Sequence, residues 1–150
     1  MQIVTTVNKE KMALHIQPDE ILWTTLRNLG LYSVRCGCDT TNCGLCTVWL
    51  DGVPVLSCAV PTFRTAGHEV TTLEGVQEEA ALFANCLADE GADQCGFCSP
   101  GFIMSVLALK RRGVPVTETE IKTTLVGNLC RCTGYISQLR AVKRYLEVLP

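Results

Sequence analysis

The chain has 150 residues, 47% of them hydrophobic and 19% charged, with a formal net charge of −2. That length is one ordinary domain or two small ones, and the balanced charge excludes the basic stripe by which a nucleic-acid binder neutralises phosphate. No apolar run reaches the length of a bilayer span. The opening MQIVTTVNKEK lacks the charged start and apolar block of an export signal, so the cytoplasm is the expected compartment.

In chain order, MQIVTTV and MALHI are apolar/polar alternations separated by the polar NKEK, a hairpin pattern. PDEILWTTLRNLG follows as a helix. Leu22, Leu26 and Leu29 share one face, Asp19 is the predicted N-cap, and Gly30 suits the left-handed position beyond the C-terminus. CTVWL and VPVLSC flank Asp51-Gly52, the strongest two-residue hairpin signal, and HEVTTL predicts a last strand. The second half has helical texture. VQEEAALFANCLADEG ends at Gly91; SPGFIMSVLALKRRG carries Ser99 as predicted N-cap, Pro100 at the first helical position and Gly113 at its end. TETEIKTTLVG opens with Thr117 and Glu120 as a capping box. Leu139, Val142, Leu146 and Leu149 form the apolar face of a closing helix. The boundary between the halves is expected within residues 61–78, and no internal repeat is evident.

Ten cysteines without an export signal point to metal ligation rather than disulfides. Two units of about 75 residues would each lie near the lower limit for an independent core, where a metal centre helps. Cys38, Cys43 and Cys46 stand in the C-x4-C-x2-C spacing of plant-type 2Fe–2S ferredoxins, which take their fourth ligand downstream. Cys58 ends the second strand of the predicted Asp51-Gly52 hairpin, and hairpin closure returns it to Cys46. A local zinc site of Cys36, Cys38, Cys43 and Cys46 competes, but Cys36-x-Cys38 is tighter than the C-x2-C knuckle of zinc sites. Further on, QCGFC supplies Cys95 and Cys98, and GNLCRC supplies Cys130 and Cys132, each pair at the edge of a predicted helix. That spacing alone suits zinc; beside the first motif it suits a second Fe–S site. Cys36 is then spare, and Cys86, within a predicted amphipathic helix, reads as a buried structural thiol.

GCDTTNCGLCTVWLDGVPVLSC, QCGFCSPGFIMS and GNLCRCTGY together resemble the iron–sulfur small subunit of the molybdenum hydroxylase family, which includes xanthine dehydrogenase and aldehyde oxidase. The likeness runs over approximately residues 1–148. It implies an α+β fold, with an N-terminal β-grasp, plant-type 2Fe–2S ferredoxin-like domain (residues 1–75) followed by a C-terminal four-helix 2Fe–2S-binding domain (residues 76–150). It also implies that Cys38, Cys43, Cys46 and Cys58 ligate a first cluster, and Cys95, Cys98, Cys130 and Cys132 a second. Gln94 maps to the glutamine that hydrogen-bonds the pterin in family members, and Cys132 to the cysteine between cluster and pterin. The implied partners are a large molybdopterin-binding subunit and an FAD-binding subunit in a hetero-oligomer, a dimer of heterotrimers being one arrangement.

Family members insert a water-derived oxygen into a C–H bond and withdraw two electrons. The implied role of this chain is to pass those electrons singly, from the molybdenum centre through the second and then the first cluster to the flavin. No acid–base or nucleophilic machinery is evident, and the substrate site falls on the molybdenum subunit; family frequency favours an N-heteroaromatic substrate. Three stretches depart from the family pattern. Asp39-Thr40-Thr41-Asn42 replaces a glycine-rich run, where inward N–H groups and tight turns are needed; Asn and Asp tolerate left-handed backbone. Ser99 replaces a threonine, and GYISQL replaces GYRPI. Arg131, between two ligands, is placed either to offset cluster charge or on the open surface. His15 and His68 read as ordinary residues, Lys110-Arg111-Arg112 as partners of a helix C-terminus, and Trp23 and Trp49 as packing of the first domain.

Overall fold

Both N-terminal alternations form strands in the computed structural model of the chain, which describes residues 1–113 and 115–148. β1 (Gln2–Val7) and β2 (Glu10–His15) pair antiparallel, turning through Asn8 and Lys9 at φ 50° and 71°. Ile3, Thr5 and Val7 are buried, as a strand covered on one face requires. β3 (Thr47–Leu50) and β4 (Val53–Leu56) close the second hairpin, with Asp51 at φ 50° and Gly52 at φ 80° in the primed-turn geometry the pair of residues predicts. β5 (Glu69–Thr71) runs parallel to β1 and antiparallel to β3, giving the sheet order β2-β1-β5-β3-β4.

α1 (Leu22–Asn28) lies over this sheet, with Leu22 and Leu26 buried beside Val7, Val34, Val48 and Val70. Gly30 takes φ 83° beyond its end. Two expectations need correction here. Asp19 does not cap α1: the helix enters from Ile21 without a side-chain cap, because Ile21 bridges to Pro61 and the Leu22 amide donates to the Val60 carbonyl at 2.8 Å. Leu29 is 40% exposed rather than part of the packed face, since the helix has already ended before it.

The second half carries α2 (Gln77–Asp89), α3 (Ser99–Arg111), α4 (Glu118–Leu125) and α5 (Ile136–Val148). α3 is central, buried at every residue from Pro100 to Leu109. Around it pack Phe83 and Leu87 from α2, Ile121 from α4, and Ala141, Val142 and Tyr145 from α5. Phe83 meets the Phe102 and Tyr145 rings at centroid distances of 5.9 and 5.0 Å, within the range of favourable aromatic pairs. The capping box is formed: the Glu120 amide donates to Thr117 Oγ1 at 3.3 Å and the Thr117 amide to Glu120 Oε2 at 2.8 Å. Leu139 and Leu146 pack against the core; Leu149, expected on the same face, lies outside the described residues. Ser99 is the first helical residue rather than the N-cap, and its hydroxyl donates to Asp93 Oδ1 at 3.0 Å. Cys86 is half-buried rather than fully buried.

Trp49 departs furthest from expectation. It stands on β3 yet is 1% exposed within the helical core, and its indole N–H donates to the Met104 carbonyl of α3 at 3.0 Å. The face of β3 opposite α1 is therefore packed by α3, and one tryptophan belongs to the second core rather than the first. Trp23 keeps to the first. Among the described residues no helix is long and apolar enough to cross a membrane.

Candidate metal centres

The first cysteine loop leaves α1 through Val34, whose carbonyl accepts the Trp23 indole N–H at 3.2 Å, and enters β3 at Thr47. Between them Thr41 takes φ 53° and Gly44 φ 75°, so two left-handed residues fold the loop back on itself. The Asn42 amide donates to Cys38 Sγ at 3.4 Å. This N–H, then those of Thr40 and Cys43, hold the Cys38 thiol down to about 6. The loop without a glycine-rich run therefore still aims backbone donors at sulfur, with Thr41 and not Asp39 or Asn42 bearing the left-handed turn.

Burial is the main cause that pushes the Cys43 thiol up, and the neighbouring Cys38 adds to it. Cys46 and Cys58 approach to 3.3 Å between sulfurs. Cys58 is not at the end of the second strand, as expected, but in the 3₁₀ turn Ser57–Ala59 that follows β4. Hairpin closure still delivers it to Cys46, helped by the Ser57 amide and hydroxyl, which both donate to the Cys46 carbonyl. Burial first, and then Cys46, push the Cys58 thiol up to about 12. Cys36 is exposed, and its thiol is turned to the Cys38 carbonyl at 3.2 Å.

The second group has the same two-by-two form. Cys95 and Cys132 stand 3.5 Å apart, both exposed, while the half-buried Cys98 and Cys130 contact one another. All four line one cavity of about 360 Å³, together with Arg131 and Tyr135. Burial first, then Cys130, raise the Cys98 thiol to about 11. Burial also raises Cys130, but hydrogen bonds from Thr133, with those from Cys132 and Cys98, together outweigh it and leave that thiol below its ordinary value. Contact with Cys95 raises Cys132. Gln94, adjoining Cys95 in sequence, is exposed.

Among the described residues no three His, Cys, Asp or Glu side chains close on one point as for a single ion. The thiols instead come as two pairs per group. The sulfur–sulfur edge of a tetrahedron with thiolate bonds near 2.3 Å is about 3.8 Å, close to the 3.3 and 3.5 Å seen. In each pair one thiol is pushed up in part by its neighbour, so all four ionise together only beside positive centres. Each group's donor set thus fits two tetrahedral irons, one per pair.

Several residues around these sulfurs escaped the sequence reading. The Thr133 hydroxyl lies 3.3 Å from Cys130 Sγ and 3.1 Å from Gln138 Oε1. The buried Gln138 turns its amide toward Cys98 Sγ at 3.8 Å, and Tyr135, at φ 71°, accepts the Cys130 amide at its hydroxyl at 2.9 Å. A glutamine on the apolar side of a helix was the available signal. The two loops also touch. The Leu129 amide donates to the Cys43 carbonyl at 2.8 Å, and Asn128 Nδ2 reaches the Gly44 and Gly101 carbonyls, each at 3.4 Å. A Cβ at Gly44 would enter the Gly127 carbonyl, and one at Gly101 the Gly44 carbonyl. His15 is an exposed strand residue, and His68 pairs with Asp51 at 2.5 Å, away from both groups.

Residues 72–143 match the 2Fe–2S binding domain family. The chain is 44% identical to the xanthine dehydrogenase iron–sulfur-binding subunit of Escherichia coli O157:H7, across 89% of this chain and 86% of that protein. It is 39% identical to the nicotinate dehydrogenase small FeS subunit of Eubacterium barkeri, across 94% and 92%. In structure it is similar to a chain of quinoline 2-oxidoreductase from Pseudomonas putida 86, with a TM-score of 0.88 and 28% identity over 99% of this chain and 94% of that one.

Proposed function

From the premise that this chain belongs to the iron–sulfur small subunits of the molybdenum hydroxylase family, we propose that it is the electron-transfer subunit of such an oxidoreductase. In this reading Cys38, Cys43, Cys46 and Cys58 hold one 2Fe–2S cluster and Cys95, Cys98, Cys130 and Cys132 another. Residues 1–75 form a β-grasp ferredoxin-like domain and residues 76–150 a four-helix domain. When bound, the clusters supply one-electron transfer, in the order molybdenum, second cluster, first cluster, flavin. The observation that carries the reading is the pairing of eight thiols into two groups of four.

The chain's own residues bind, orient and shield. The Asn42 and Thr40 amides and the Thr133 hydroxyl donate toward sulfur, which favours the thiolate form that iron requires. Cys46 is buried in the same apolar cluster as Leu26, Val48 and Val70, which limits water there. The exposed Cys95 and Cys132 make the open side of the second group, where a molybdopterin-binding subunit would bring its pterin within reach of the exposed Gln94 next in sequence. An FAD-binding subunit would complete the assembly, and the cytoplasm is its proposed location.

Purified protein is expected to be brown, to bleach on reduction, and to contain four irons and four sulfides per chain. A colourless preparation with stoichiometric zinc would establish a zinc-stapled module instead, and a two-cluster chain isolated without larger subunits a free-standing ferredoxin. The register has its own test. Cys36→Ser retains both clusters, whereas Cys58→Ser loses the first, as read by iron content and the visible spectrum; the reverse outcome overturns the ligand assignment.

A further inference from the structure

Arg35 stands just before the first cysteine loop, and its backbone amide donates to the Leu45 carbonyl, between Cys43 and Cys46, at 3.3 Å. Its side chain leaves that loop altogether. The guanidinium Nη1 donates to the Gly96 carbonyl at 2.5 Å, between Cys95 and Cys98, and the group lies 5.2 Å from the centre of the Phe97 ring. Arg35 is half-buried, and among the described residues it pairs with no carboxylate. One residue therefore grips both cysteine loops, and its positive charge is spent on a carbonyl and a ring beside the second group of thiols.

We propose that Arg35 is a positioning residue by which the first cysteine loop fixes the Cys95–Cys98 loop and biases the cluster held there toward its reduced form. The inference rests on the reading that Cys95, Cys98, Cys130 and Cys132 hold a 2Fe–2S cluster. Four thiolates, two sulfides and two ferric irons sum to a dinegative group, trinegative after one electron, so a fixed cation nearby favours the reduced state. Partial burial weakens solvent screening of that effect. The Gly96 carbonyl is itself a poor neighbour for an anion, and the guanidinium bond turns it toward Arg35. Gly96 takes φ 70°, a bend that the bond from Arg35 also helps hold.

The test is a redox titration of the cluster-loaded full chain followed by electron paramagnetic resonance, with the first cluster's signal identified by its loss in Cys58→Ser. Arg35→Gln is expected to shift the reduction equilibrium of the second cluster about tenfold toward the oxidised form, which is about 59 mV for a one-electron couple. The first cluster should move far less, and Arg35→Lys should restore most of the shift. No shift, an equal shift of both clusters, or the same shift in Arg35→Lys overturns the inference. If Arg35→Gln loses iron, a loss confined to the second cluster and repaired in Arg35→Lys supports it, while loss from both clusters or in both variants overturns it. Iron and sulfide content of the wild type separates the two levels. A chain without two clusters refutes the proposed function, whereas a two-cluster chain indifferent to Arg35 refutes only this inference.

Discussion

Thr41 holds a β-branched side chain at φ 53°, where residues other than glycine and asparagine are strained by about 1–2 kcal/mol. Among the described residues its hydroxyl bonds only to the adjacent Thr40 carbonyl, at 2.7 Å, and the residue is exposed, so little is lost by replacing it. Thr41→Asn should therefore stabilise the chain by about 0.5–1 kcal/mol, read as a higher denaturant midpoint with cluster content unchanged. A lower midpoint would mean that the threonine makes a contact worth more than its strain. The position of this strain was not legible in the sequence, which directs attention to Asp39 and Asn42 as the residues tolerant of left-handed backbone. Landing Cys38 and Cys43 side by side sets where the turn must come, and that is a constraint of the whole loop.

At the scale of elements, the approach to the cysteine loop is pinned by the 3₁₀ turn Leu73–Val76 that leads into α2. Glu74 accepts the Ser33 amide at 3.0 Å, the Ser33 hydroxyl at 2.6 Å and the Thr72 hydroxyl at 2.5 Å. Burial alone would push its carboxyl up, but these bonds from Ser33 and Thr72 outweigh it and hold the group below its ordinary value of 4.5. A carboxyl with a depressed folded value stabilises the fold above 4.5, and that contribution is lost as pH falls through the folded value. Glu74→Gln should thus lower stability by about 1 kcal/mol at neutral pH, the worth of a half-exposed charged hydrogen bond. The gap between wild type and variant should narrow on acidification below 4.5, measured by denaturant midpoints across pH. A gap independent of pH would show that the ionised form is not what matters. The helices α4 and α5, by contrast, follow from local rules: a capping box and an apolar face need no distant partner to be visible.

The two halves of the molecule are joined where Gly44, Gly101, Gly127 and Asn128 meet, with the Trp49 side chain set into α3 nearby. Gly44→Ala places a methyl group against the Gly127 carbonyl at a residue of φ 75°, combining a clash with backbone strain. It should destabilise the chain by about 2–4 kcal/mol and lower the iron content of both groups, because the Leu129–Cys43 bond joining their loops crosses the same seam. A variant that loses stability but keeps full iron would show that the seam serves folding alone.

By itself the sequence determined the order and spacing of the cysteines, the Asp51-Gly52 turn, the capping box at Thr117 and the apolar face of α5. Each is a rule acting over a few residues, through backbone torsion, hydrogen bonds at a helix end, or the period of a helix. Only the tertiary structure decided that Trp49 fills the helical core and that Arg35 crosses 61 residues of chain to reach Gly96. The same holds for Asn128, which crosses 84 to reach Gly44. Those contacts depend on how two cores pack against the two faces of one strand, and no local pattern encodes which face meets which partner.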